Sequence, residues 1–308
     1  MKSPLERWHD KAGVRADPRR VLNEVIEGRS LFPEKLIPYL AHPHVRRLDP
    51  NDRWQIVARH LYQYLQFTAN FETQIVNRAT EKIANGATGL DLAPSVRLDA
   101  YKIYCDEAYH SLYSYDVIMQ VERATRIKVL EYDFTPFLDR LDNVGRQIMP
   151  AEAMLAQLLQ VVVFETLVTA ILKDVPNDPL VIDVVRDTVR DHAEDEGRHF
   201  VYFSQFFKEL WAKLDVRTQR KIAYCLPELI YRSLSPELSP VRRSLALTPL
   251  MHKEIDEILA ESYADSRVSE SIRDSARHSV RLFESVGVLD IPGAREAFEA
   301  VGLYRNEV

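Results

Sequence analysis

Glycine is scarce in this 308-residue chain, at nine residues, and no Gly-x-Gly-x-x-Gly run occurs in it. That absence removes the loop with which flavin and nicotinamide cofactors are usually cradled. Two cysteines, Cys105 and Cys225, are too few for a disulfide scaffold and suit a reducing cytoplasm. There is no basic excess either. Forty Lys and Arg stand against 46 Asp and Glu, a net charge of -6, which argues against a nucleic-acid binder. No apolar run reaches the roughly 18 to 20 residues that span a bilayer, Glu165 interrupting one of the longest, so no membrane association is expected. The opening MKSPLERWHDKAG has no apolar core of the secretory type. Alternating β-branched runs are few as well. What remains, 46% hydrophobic and 28% charged residues, is an ordinary globular composition in a chain long enough to bury a large core.

Apolar residues return at intervals of three and four, the period of helices packed on one face. The spacing predicts an all-α fold in one domain over 1–308. Residues 1–49, punctuated by five prolines, read as a segment of short helices and loops wrapped on the body. Residues 50–214 read as a four-helix bundle. Its helices are expected from the capping run Asp49-Pro50-Asn51-Asp52 to about Asn85, from Pro94 to Arg126, from near Pro150 to about Asp174, and from Pro179 to Leu214. A short crossover helix is expected within 127–149. Residues 215–308 read as shorter helices packed on the bundle, broken at Pro227, Pro236, Pro240 and Pro249. Helices of such length suit a four-helix bundle better than a globin-like stack.

Chemistry concentrates inside the four long helices. Glu-x-x-His occurs three times, as Glu6 with His9, Glu107 with His110, and Glu196 with His199. Positions i and i+3 share a helix face, so a carboxylate and an imidazole so spaced can serve one ion or neighbouring ions. The first pair lies in the proline-punctuated segment and reads as chance. Each of the other two follows a helix that carries a lone Glu in uncharged surroundings, Glu72 in FTANFETQIV and Glu165 in LLQVVVFETLV. Glu165 has Val161, Val162, Val168 and Thr169 as its helical neighbours, and an unpaired carboxylate there would be costly to bury. One Glu from each of two helices and a Glu-x-x-His from each of the others is the donor set of carboxylate-bridged di-iron and di-manganese bundles. Carboxylates with a few imidazoles favour iron or manganese over zinc. His192, one turn before Glu196 and two before His199, reads as a seventh ligand that makes the cluster more electron-rich. Plainer readings stand beside these: Glu72 in an ion pair with Arg59 or Arg78, His110 and His199 as hydrogen-bonded core histidines, and His192 bonded to a neighbouring helix.

At these residues the chain resembles the arylamine N-oxygenases, the family of p-aminobenzoate N-oxygenase. The resemblance covers roughly 50–230 and rests on Glu72, Glu107-x-x-His110, Glu165 and the extended His192-x-x-x-Glu196-x-x-His199. Ferritins, ribonucleotide reductase small subunits and acyl-carrier desaturases share the two-hairpin plan but do not usually carry the additional His. Where the reductase subunits place a radical tyrosine this chain has Ser114, with Tyr113 and Tyr115 flanking it out of phase. The resemblance implies a non-haem oxygenase with two iron ions, O2 as co-substrate and electrons from an external reductase or chemical donor. Its substrate would be the primary amine of a small molecule, carried to hydroxylamine, nitroso or nitro products. It also implies a homodimer and no catalytic residue beyond the seven metal ligands.

Two other functions remain open at this point: hydroxylation of C–H bonds at the same metal pair, and a non-catalytic metal-binding or interaction protein. For the substrate pocket, Tyr64, Thr68 and Thr169 lie one or two turns from Glu72 and Glu165 and face the cavity if the helices are regular. The stretch Tyr64, Leu65, Thr68, Ala69 contains no Arg or Lys, which points away from a benzoate carboxylate. A cation from the C-terminal third, Arg242, Arg243 or Lys253, is the alternative source.

Overall fold

The computed structural model describes residues 3–304, without the side chains of 169–171. Helix α1 begins at Pro50, where the Asp49 carboxylate caps the backbone N–H groups of Asn51 and Asp52 at 2.8 and 3.0 Å. It runs Pro50–Phe71, widens into a π turn over Glu72–Val76 and returns to α-helix over Asn77–Ala84. Helix α2 is Pro94–Thr125, ended by Arg126 in the left-handed region at φ 62°. The crossover carries α3, Thr135–Ile148, and the second hairpin is α4, Ala153–Leu172, with α5, Asp183–Lys213. Beyond them come α6, Val216–Leu234, α7, Leu238–Leu245, α8, His252–Ser262, α9, Asp265–Ser285, and α10, Ala294–Ala300.

The fold is all-helical and ferritin-like, with no extended strand among the described residues. α1 lies along α2 and α4 along α5, and α2 meets α5 across the bundle. Helices α6 and α9 pack on α4, and α7 packs on α1. The core between them is Leu, Ile, Val and Phe, with Leu61, Phe71, Val162, Leu167 and Phe203 almost inaccessible.

Three elements differ from the sequence expectation. The fourth long helix starts at Asp183 rather than Pro179, because Val181 forms an isolated β-bridge with Ser30 and Glu24 accepts from the Asp183 N–H. Pro227 does not break α6, which continues through it with the proline buried against its neighbours. The π turn in α1 replaces what reads as regular helix. There Ser111 of α2 and Thr73 both donate their hydroxyls to the Ala69 carbonyl, at 3.1 and 2.9 Å.

The N-terminal segment is a strap along α2 and α5. The Leu5 carbonyl accepts from Lys102 at 2.9 Å, and the Leu22 N–H donates to Gln120 at 2.7 Å. Between them, Arg19 pairs with Asp116 and Arg20 with Asp191, each at 2.7 Å.

Candidate metal centre

Four helices converge on one point with Glu72 from α1, Glu107 and His110 from α2, Glu165 from α4, and His192, Glu196 and His199 from α5. All seven side chains are between 0% and 4% exposed, so none is a solvated surface group. Glu72 opens the π turn, a local widening that recurs at functional sites in helices. The donor atoms fall into two overlapping sets, each within 4.8 Å internally: Glu72, His110, His192 and Glu196, and Glu107, Glu165, Glu196 and His199. Glu196 belongs to both. Its Oε1 is 3.1 Å from His192 Nε2 and 3.4 Å from the Nδ1 of both His110 and His199. Glu107 spans the same gap, with Oε2 3.1 Å from His110 Nδ1 and Oε1 2.8 Å from His199 Nδ1.

His110 and His199 are hydrogen-bonded histidines of the core, as the plainer reading has it, but Glu72 has no arginine partner. Arg78 is committed to Asp142 and Gln160, and Arg59 to Gln55, so neither pairs with Glu72. Glu6 and His9, the chance pair, are both exposed.

Four carboxylates in so small a buried volume cannot all be ionised without compensation. Burial, reinforced by repulsion from Glu107 and Glu196, pushes Glu72 and Glu165 well above the usual carboxylate range. Burial and the charge of Glu196 push Glu107 the same way, but His199 and His110 outweigh them and bring it down to about 2. Burial would lower His110, yet Glu107 and Glu196 raise it to about 9; His199 is raised further by the same pair. His192, desolvated and beside the charge of His110, is lowered. Carboxylates and imidazoles thus shift one another in opposite directions across the site.

Whether these residues fit metal ions is read from the donor atoms that have no hydrogen-bond partner within the protein. Glu107 Oε1, Glu165 Oε2, Glu196 Oε2 and His199 Nδ1 are buried without an aligned hydrogen bond. Buried polar atoms are normally paired, and four orphans aimed at one centre are what a cation site leaves when only protein is considered. Two divalent cations would balance four carboxylates. The fit is good in charge, donor type and burial.

Sequence reasoning missed the layer behind the ligands. His199 Nε2 donates to Asp106 at 3.1 Å and His110 Nε2 donates to Asp195 at 3.2 Å. Trp8 Nε1 donates to both oxygens of Asp106, at 2.8 and 2.9 Å, and the Gly13 N–H donates to Asp195 at 3.1 Å. Arg198 pairs with Asp195 as well. The signal was present: both motifs read Asp-Glu-x-x-His, over 106–110 and 195–199.

Next in sequence to Glu72 and Glu165 lies an aromatic cluster. Phe71 and Phe164, each the residue before one of those carboxylates, stack on one another, and Phe67 packs on Phe71, Phe137 and Phe164. Tyr64 keeps a buried, unpartnered hydroxyl, raised by burial and by the charge of Glu72. Thr68 is buried, but its hydroxyl is spent on the Tyr64 carbonyl at 3.2 Å. The side chain of Thr169 lies outside the described residues. Arg242 and Lys253 are tied at the surface to Asp256 and Glu257, and Arg243 is exposed. Tyr113, out of phase by sequence, has its ring 5.5 Å from His110 and 6.1 Å from His192, whereas Ser114 is buried and Tyr115 exposed.

An all-helical, ferritin-like fold whose bundle buries two overlapping carboxylate–histidine sets defines a class: helical proteins equipped for a dinuclear metal site. Within that class, the sequence profile described as P-aminobenzoate N-oxygenase AurF matches residues 7–287. The chain belongs to that family. It is also 24% identical over 310 aligned residues to 4-aminobenzoate N-oxygenase of Streptomyces thioluteus, a match covering 94% of this chain and 85% of that protein. No helix of the described residues is long and apolar enough to cross a membrane.

Proposed function

We propose that this protein is a di-iron N-oxygenase, using O2 and externally supplied electrons to oxidise the amino group of a small aromatic amine. The observation that carries the reading is the set of seven buried donors with four unserved ligand atoms. Glu72, His110 and His192 would hold one iron and Glu165 and His199 the other, with Glu107 and Glu196 shared. When bound, the iron pair supplies O2 reduction and the oxidising power for N–H chemistry, on the way to hydroxylamine, nitroso or nitro products.

The chain's own residues would do the rest. Asp106 and Asp195 hold His199 and His110 in the tautomer that leaves Nδ1 free toward the centre. Phe71, Phe164 and Phe67 keep water from the carboxylate side, where low polarity strengthens every charge interaction. The same wall selects the substrate. The relative's name specifies 4-aminobenzoate, a carboxylate. Here the cations nearest the wall are engaged, Arg78 with Asp142 and Arg140 over the face of Phe137 and on the Ser235 carbonyl. An uncharged arylamine fits this surface better than an anionic one.

The test is turnover of anaerobically iron-loaded, reduced protein under 18O2 with aniline and with 4-aminobenzoate, read by product mass. Label on nitrogen, with aniline preferred, is the expected result. Label on ring carbon would replace N-oxygenation with C–H hydroxylation, and exclusive use of 4-aminobenzoate would overturn the substrate assignment alone.

A further inference from the structure

Two aspartates stand behind the centre, and they are held differently. Asp195, which accepts from His110 Nε2, is held by the Gly13 N–H at 3.1 Å and by Arg198, a backbone amide and a guanidinium. Asp106, which accepts from His199 Nε2, is held by an indole, with Trp8 Nε1 at 2.8 and 2.9 Å from its two oxygens. A buried carboxylate needs donors, and any of these would meet the need. The indole alone among them adds an extended aromatic ring, and that ring stands on the outer side. Trp8 is 8% exposed, whereas Asp106 and His199 are both 0% exposed.

Trp8, Asp106 and His199 therefore form an unbroken hydrogen-bonded line from the strap to a member of the second donor set. The other aromatic rings about the centre, among the described residues, offer no such line. Tyr113 has its ring 5.5 Å from His110, yet its buried hydroxyl bonds to nothing. Tyr64 keeps an unpartnered hydroxyl as well. Phe67, Phe71 and Phe164 have no polar atom with which to bond. Electrons reach a buried metal pair by tunnelling, and hydrogen-bonded contacts couple donor to acceptor better than gaps between packed rings do.

We propose that Trp8, Asp106 and His199 are the electron relay into the centre. An external one-electron carrier reaches the strap at Trp8, and its electrons cross the two hydrogen bonds to the ion held by His199. The inference rests on the di-iron reading above and says where its electrons enter. Each transfer oxidises the carrier by one electron and reduces one ferric ion to ferrous, so two transfers prepare the pair. No bond of the relay breaks: the indole is not itself oxidised, and both hydrogen-bonding protons stay on their nitrogens. Trp8 and Asp106 touch neither substrate nor metal and act through His199.

Stopped-flow reduction of the iron-loaded, oxidised protein by a reduced plant-type ferredoxin, without O2 or amine, tests the relay. The carrier is itself a protein and cannot enter the bundle, so its electrons must cross from the surface. Two variants, loaded to the same iron content as wild type, separate the bond from the packing. Trp8→Phe keeps an aromatic ring and loses the N–H. Trp8→His loses bulk but keeps an N–H, since imidazole Nε2 and indole Nε1 occupy equivalent places in the five-membered ring. Reduction is expected to slow about tenfold or more in Trp8→Phe, the lower end of what metal-site partners contribute. It should recover most of the wild-type rate in Trp8→His, with the midpoint potential equal in all three.

A packing anchor would give the opposite order, Trp8→His slower than Trp8→Phe, and that order overturns the proposal. So does a slowed Trp8→Phe whose midpoint potential has fallen to match, because driving force rather than path would then set the rate. Wild type without iron would sink the di-iron reading and the relay with it. Two irons per chain and an unchanged rate in Trp8→Phe would remove the relay alone.

Discussion

Asp106, on α2, accepts a hydrogen bond from His199, on α5, at 3.1 Å although 93 residues separate them. The relationship is reciprocal, since Asp195 of α5 holds His110 of α2 at 3.2 Å. Each Asp-Glu-x-x-His motif therefore places a carboxylate and an imidazole at the centre and also steadies the imidazole of the other. The N-terminal strap closes the arrangement through Trp8 and Gly13, so a segment remote in sequence sets the orientation of both histidines.

Asp106→Asn keeps the shape but exchanges a charged acceptor for an amide that can present its donor to His199. Metal-site partners of this kind are worth about 10- to 100-fold in affinity. Chelator competition should show iron affinity falling within that range, with a smaller loss in Trp8→Phe, where Asp106 keeps His199 but loses the indole N–H. Affinity unchanged in Asp106→Asn would mean His199 is not oriented through this bond.

Gly13 is needed for space. A Cβ there would stand 2.8 Å from Asp195 Oδ2 and 3.1 Å from Asp17 Oδ2. Gly13→Ala must displace the strap or Asp195, and overpacking of this sort costs about 1 to 3 kcal/mol. Denaturant unfolding of the metal-free protein should report that loss, and Ala12→Gly, which leaves residue 13 in place, should not weaken iron binding.

Glu165 is expected to stabilise the protein only with metal present. Burial and the neighbouring carboxylates raise its pKa well above the usual carboxylate range, which favours the neutral acid, so Glu165→Gln is expected to cost little without metal. Wild type should gain thermal stability on iron loading, by about 2.7 kcal/mol at a hundredfold excess over Kd, and lose it on chelation. The variant should hold fewer than two irons per chain and gain less. Equal iron content by elemental analysis would remove Glu165 from the donor set.

His60 gives the fold an acid sensitivity of its own. Enclosed between Phe32 and Tyr39 and hydrogen-bonded to the Tyr39 hydroxyl at 3.0 Å, it is lowered by burial from 6.5 to about 4. Its neutral form is the folded one, so the unfolded chain binds the extra proton between those values. Its contribution is intact above pH 6.5 and is lost as pH falls toward 4. Urea midpoints at pH 7, 5.5 and 4.5 should drop less steeply in His60→Gln than in wild type. Parallel slopes would show that other groups carry the acid response.

Much of the fold was legible because helical period and capping chemistry are local. Asp49 caps α1 as its sequence indicates, and α2 runs from Pro94 to within a residue of the expected end. The seven converging side chains were legible for a related reason: a lone Glu in an apolar turn and a Glu three residues before a His are departures from what a core helix tolerates. The strap was not. Trp8 and Gly13 sit in an irregular stretch with no period, and their partners lie 98 and 182 residues away. Pro227 misled because a helix breaker is judged by local cost, which packing around α6 overrides.

An all-helical chain, the order of its two hairpins and the residue types that meet in the bundle can be read along the chain, because periodicity and buried charge are written into each helix. Tertiary packing was needed to show which donors share which set, that α1 widens into a π turn at Glu72, that the two motifs hold each other's histidines, and that Phe71 stacks on Phe164. Those are distances between side chains on different helices, and they follow from how the helices are rotated and pressed together, which no single segment specifies.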